Sequence, residues 1–108
     1  MNHKKHLGQI QITFSYSRHV GPTYILGGLT LRFDSLRPYS FVSRAQWPST
    51  DNYETSVRQA VEHVLRERQG HMDTTSVVLV RIEWDDVSSC QLGFERAAAA
   101  ATRATFEL

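Results

Sequence analysis

Pro48-Ser49-Thr50-Asp51-Asn52-Tyr53-Glu54, continued by TSVRQAVEHVLRERQG to Gly70, is where the periodicity of the chain switches from strand to helix. Within it Tyr53, Val57, Ala60, Val61, Val64 and Leu65 recur at steps of three and four, which gathers them into one apolar stripe of a helix. Arg58, Glu62, Arg66 and Gln69 fall on the opposite face. Asp51 precedes Glu54 by three residues, an Asp-capped form of the capping box, and Gly70 is a natural stop. The spacing therefore predicts a helix over 53–65 that ends at Gly70.

On the N-terminal side the rhythm is two, not 3.6. Residues 9–17 alternate, with Ile10, Ile12, Phe14 and Tyr16 against Gln9, Gln11, Thr13, Ser15 and Ser17, a half-buried strand with one wet face. Arg18-His19-Val20-Gly21-Pro22 reads as a turn. A second strand carries Leu29, Leu31 and Phe33 against Thr30, Arg32 and Asp34. Gly27 and Gly28 near its start mark a bulge or a close backbone approach. After Arg37-Pro38, residues 39–47 alternate again as a third strand. Three strands with short connections predict an antiparallel meander.

On the C-terminal side alternation returns over 75–85. Val78, Val80, Ile82 and Trp84 share one face, while Val77 and Leu79 begin the other, a two-sided apolar character that suits an interior strand. Past Asp85-Asp86 a second helix opens at Ser88 or Ser89, with Gln91 placed to complete a capping box with Ser88. It runs through Leu92, Phe94 and the alanines 97–101 towards Phe106. Five alanines favour helix and leave a thin side-chain layer for close packing. The order β-β-β-α-β-α predicts an α+β two-layer sandwich, two helices on one face of a four-stranded sheet and polar residues on the other.

At 108 residues, 41% hydrophobic and 21% charged, the chain has room for one domain with an ordinary core. Residues 1–7 read as a disordered tail and 8–108 as the domain. A lone cysteine, Cys90, rules out an internal disulfide and fits a reducing compartment. With no apolar leader and no apolar run near the length of a span, the expected location is cytoplasmic, away from membranes. The net charge of +1 conceals a split: residues 1–50 carry six cations against one acid, residues 51–108 six arginines against ten acids.

Catalytic signatures are missing. There is no P-loop, no dinucleotide fingerprint and no nucleophile elbow, so no nucleotide and no cofactor are expected. His3, His6, His19, His63, His71 and Cys90 lack the spacing of a zinc site. Cys90 lies near a helix start, where a thiol can be activated, but no base accompanies it. Asp85 and Asp86 are weighed as an acid–base or cation pair against a solvated turn favoured by the following helix dipole. Arg18 and His19, flanked by Tyr16 and Tyr24, offer a guanidinium, an imidazole and aromatic rings, the groups that meet RNA backbone and bases.

From residue 29 onward the chain resembles domain IV of the elongation factor G family of translational GTPases. Leu31-Arg32-Phe33, Leu36 and Tyr39-Ser40-Phe41-Val42 resemble its second and third strands. The 53–65 helix, with Val57-Arg58 and Ala60-Val61, stands where the family has its long helix. Val78-Leu79-Val80-Arg81-Ile82 resembles its next strand, and Val87-Ser88-Ser89-Cys90-Gln91-Leu92-Gly93-Phe94 its V-D-S-S-E-x-A-F signature. The match is collinear over roughly 24–108.

The resemblance implies a left-handed βαβ crossover, where right-handed crossovers are the general rule. It also implies a domain that mimics part of a tRNA and reaches the ribosomal decoding centre. The departures fall on that tip: the Gly-rich basic first loop is represented by residues 19–26, where its Gly-Arg-Gly character is lost, and the longer turn bearing Tyr-His is shortened to Trp84-Asp85-Asp86, with that His deleted.

The reading is a stand-alone, non-enzymatic domain IV-like protein that binds ribosomal or structured RNA, or a ribosome-associated partner. Arg18, His19, Tyr24, Asp85 and Asp86 are its candidate contacts. The alternative is an interaction module that kept the scaffold and lost RNA binding, a homodimer through an exposed strand edge.

Overall fold

The computed structural model describes residues 9–35, 37–69 and 74–107. The tail assigned to 1–7, Leu36, the helix stop at Gly70, and His3, His6 and His71 lie outside the described residues. The elements run β1 (Gln9–Val20), β2 (Thr23–Asp34), β3 (Ser40–Ser43), α1 (Glu54–Gln69), β4 (Ser76–Glu83) and α2 (Gln91–Thr105), the α+β order expected.

The sheet order is β1-β2-β4-β3, with β1–β2 and β2–β4 antiparallel and β3–β4 parallel. The meander therefore stops after two strands. β4 inserts between β2 and β3, and α1 carries the chain across to it. Apolar content explains the choice. Val77 and Leu79 are fully buried while Val78 and Val80 on the other side are half-buried, so β4 needs neighbours on both edges. β3 pairs over only four residues, Arg44 N–H adding one bond to the Leu79 carbonyl at 2.8 Å, and it suits the rim.

Register corrects the expected faces of β4. Leu31 pairs with Leu79 and Leu29 with Ile82, so two residues two apart on β2 face two residues three apart on β4. Cross-strand partners share a face, and the extra residue is therefore a β-bulge at Val80. It turns Ile82 and Trp84 towards the helices, alongside Val77 and Leu79, whereas Val78 stays on the open face. A run of four apolar residues, 77–80, accommodates either phase, which is why alternation alone does not reveal the step.

Both helices cover one face. Phe94, Ala97, Ala98 and Ala101, spaced at three and four, are completely buried, and they meet Leu29, Leu31, Phe33, Val77 and Leu79 together with Val57, Val61 and Leu65 of α1. The alanine tract thus acts as the thin layer predicted for it. Closest of all is the approach of Gly93 to Gly27. A Cβ on Gly93 would sit 2.8 Å from the Gly27 nitrogen, and nearer still to the Leu26 carbonyl. Leu26 accordingly exchanges backbone bonds with the segment before α2, its N–H donating to Ser88 O at 3.0 Å and its carbonyl accepting from Cys90 N–H at 3.4 Å.

Beside α2, α1 is fixed to the β3–β4 side. Just before it Tyr53 stacks on Trp84, and within it Glu62 Oε2 accepts from the Tyr39 hydroxyl at 2.5 Å, while Trp47 meets Phe94 of α2 edge-on at 5.1 Å. Glu62 also pairs with Arg58 at 3.3 Å and Arg66 at 3.8 Å. Burial, and then the Glu62 carboxylate, push the Tyr39 hydroxyl well above its ordinary pKa.

Caps differ from those expected. Asn52 Oδ1 accepts the Glu54 N–H at 2.9 Å, while Asp51 is engaged by the hydroxyls of Thr50 and Tyr53. α2 begins at Gln91, with Cys90 in the cap position and no side-chain cap.

Candidate functional site

Arg18 and His19 are not in a loop. β1 and β2 stay in register to the closing pair Val20↔Thr23, leaving Gly21-Pro22 as a two-residue turn. Gly21 has φ +62° and Pro22 a negative φ, the pattern of a type II′ turn that matches strand twist. Arg18 pairs with Ile25, and His19 with Tyr24, their rings 4.7 Å apart. Polar residues on a strand beyond the core resemble a loop in sequence, because nothing there needs to alternate.

The hairpin projects. β4 ends opposite Gly28 and the segment before α2 reaches only Leu26, so residues 23–25 extend about 10 Å past the rest of the sheet. This contributes to the 49 Å long axis of the molecule, against 27 and 22 Å for the others.

The turn holding Asp85 and Asp86 lies at the same end, beside the base of the hairpin. Its carboxylates are committed locally. Asp85 Oδ1 accepts from Val87 N–H at 2.8 Å and Ser88 N–H at 3.0 Å. Its own N–H donates to Ser89 Oγ at 2.8 Å, and Asp86 Oδ1 accepts from the Trp84 indole at 3.0 Å. An Asp that bonds the amides two and three residues on builds a turn, and this turn delays the helix past Ser88 and Ser89. Among the described residues, no three His, Cys, Asp or Glu side chains converge as a metal would require. Cys90 is half-buried.

Where the hairpin overhangs α2 a groove of about 380 Å3 opens, lined by Tyr16, Arg18, His19, Ile25, Leu92 and Arg96. Its aliphatic lining is Ile25, almost buried, and Leu92, which is exposed. Arg18 comes from β1 and Arg96 from α2, whose guanidinium carbon lies 5.9 Å from the centre of the Tyr16 ring. Among the described residues, no carboxylate lines it. A larger groove of about 560 Å3 between α1 and α2 contains Glu95 with Arg96 and Arg103, so its charge is partly balanced, and Arg103 also reaches Glu67 at 3.9 Å. The smaller groove is the one suited to an anion with an aromatic or apolar part.

Of the expected contacts, Arg18 and His19 share this groove. Tyr24 stands outside it, against His19, and Asp85 and Asp86 do not line it. Arg96 is not among the residues expected from the sequence, although Leu92 and Arg96 stand four apart on a helix and so share a face.

These features define a class: an α+β two-layer domain with a projecting hairpin and a basic groove at its base. The same fold occurs within a crystal structure of a protein from Thermus thermophilus, which matches 90% of this chain with a TM-score of 0.77 at 17% sequence identity. This chain spans only 15% of the length of that protein. No family model matches the sequence, and no curated protein matches it. No helix among the described residues is long and apolar enough to cross a membrane.

Proposed function

We propose that this domain is an elongation factor G domain IV-like module that acts by binding structured RNA of the ribosomal kind, without catalysis of its own. The observation that carries the reading is the groove between Arg18 and Arg96, basic, free of carboxylates among the described residues and lined also by Tyr16, Ile25 and Leu92. Guanidinium groups suit phosphate, and a half-buried ring with apolar neighbours suits the edge of an unstacked base. The collinear motif resemblance supports the same reading, as does a hairpin that runs past the end of β4.

The test is binding of the domain to structured ribosomal RNA fragments across a salt series. Affinity should fall linearly in log–log form, and Arg18→Ala with Arg96→Ala should reduce the slope by about 1 to 2, at roughly 0.9 for each phosphate no longer neutralised. Absence of binding at low salt, or a double variant with the wild-type slope, overturns the reading.

A further inference from the structure

We infer that the outer edge of β1 pairs antiparallel with β1 of a second copy, joining two sheets into one of eight strands. Among the described residues no strand lies beyond β1, which is twelve residues long and runs without a register shift against β2.

The two-residue turn fixes which backbone groups face outward. Its closing pair Val20↔Thr23 is a hydrogen-bonded pair, so the even-numbered residues of β1 bond to β2. The N–H and C=O groups of Gln9, Gln11, Thr13, Ser15, Ser17 and His19 therefore point away from the sheet. Edges left open in this way are ordinarily guarded by charge, proline, a bulge or brevity. From residue 9 to 17 β1 has no charge, no proline and no bulge.

The strand is also complementary to itself. Centred on Thr13, a twofold pairing places Ile12 beside Phe14, Ile10 beside Tyr16, Gln11 beside Ser15 and Gln9 beside Ser17 of the other copy. Thr13 is outward-bonding, as the centre of such a pairing requires. Ile10, Ile12, Phe14 and Tyr16 are only half-buried in the single chain although they face the helix layer, and the second copy would cover them. Even residues meet even residues, so the helices of both copies lie on the same side.

The pairing borders the RNA groove at Tyr16, but its readout is molecular mass, so its failure and the failure of the RNA reading are told apart. Sedimentation equilibrium of the wild-type chain at micromolar concentration should report a dimer. Two double variants then test the register. Gln9→Lys with Ser17→Lys places like charges opposite each other twice. Gln9→Lys with Ser17→Glu places opposite charges there, and should self-associate at least about tenfold more tightly than the first. A wild-type chain that stays monomeric throughout the micromolar range overturns the inference, as do two variants of equal association.

Discussion

Replacing Gly93 by alanine separates local preference from packing, because the two have opposite signs. On a helix considered alone, Gly→Ala is favourable by about 1 kcal/mol. In this fold the new methyl would lie 2.8 Å from Gly27 N and 2.5 Å from the Leu26 carbonyl carbon, where ordinary contact begins at 3.4 Å. The obstructing atoms are backbone atoms of β2, paired with β1 on one side and tied through Leu26 to Ser88 and Cys90 on the other, and they cannot rotate away. α2 must retreat by most of an ångström, which loosens Phe94, Ala97, Ala98 and Ala101 and stretches the Leu26–Ser88 and Leu26–Cys90 bonds. Overpacking of this kind costs about 1–3 kcal/mol, and the loosened packing adds to it. We expect a net loss of about 2 kcal/mol, read as a fall of roughly 1 M in the urea midpoint at a slope near 2 kcal/mol/M. Gly27→Ala approaches the same point from the other side and should behave alike. A Gly93→Ala protein as stable as the wild type, or more stable, refutes the close approach.

Two further outcomes follow from hydrogen bonds. Tyr39→Phe should lower stability by about 1 kcal/mol at neutral pH, since it removes a bond to a carboxylate that keeps Arg58 and Arg66. Because burial and then Glu62 raise the Tyr39 pKa above its ordinary 10.0, the native state holds a proton that the unfolded chain releases. That stabilisation is complete below about pH 10 and is lost as pH rises further, so urea midpoints should fall above pH 10 more steeply for the wild type than for Tyr39→Phe. Equal alkaline slopes would contradict the assignment. Asp85→Ala should cost about 1 kcal/mol by freeing two turn amides, and Asp86→Ala, which loses one exposed indole bond, less than about 0.5 kcal/mol. Chemical denaturation checks the order, and a reversed order removes the turn-building role given to Asp85.

Elements defined by their own periodicity are legible in the sequence, and relations between elements are less so. The stripe from Tyr53 to Leu65 names a helix because six positions agree on one face. The alanine tract names a close contact because no other side chain is as thin. Alternation, in contrast, tells which face a residue takes and not which strand lies beside it, so a meander places β3 against the wrong neighbour. The same ambiguity hides the bulge at Val80, where apolar residues on consecutive positions carry no phase. Arg18 and His19 stand out by their chemistry but read as a loop, since a strand that leaves the core has no burial to record. Arg96 completes the groove only through the docking of α2 on the hairpin, a tertiary fact with no local trace beyond its spacing from Leu92.

The position of β4 has a consequence for the order in which the chain assembles. The first hairpin joins neighbours in sequence and can form as soon as residues 9–34 exist, with small loop-closure entropy. β3 has no such partner: its ladder is with a strand made some thirty residues later, on the far side of α1. During synthesis from the N-terminus, the segment bearing Phe41 must wait unpaired until Ser76–Glu83 arrives and joins hairpin and rim in one step. The last strand to be made is thus the keystone of the sheet.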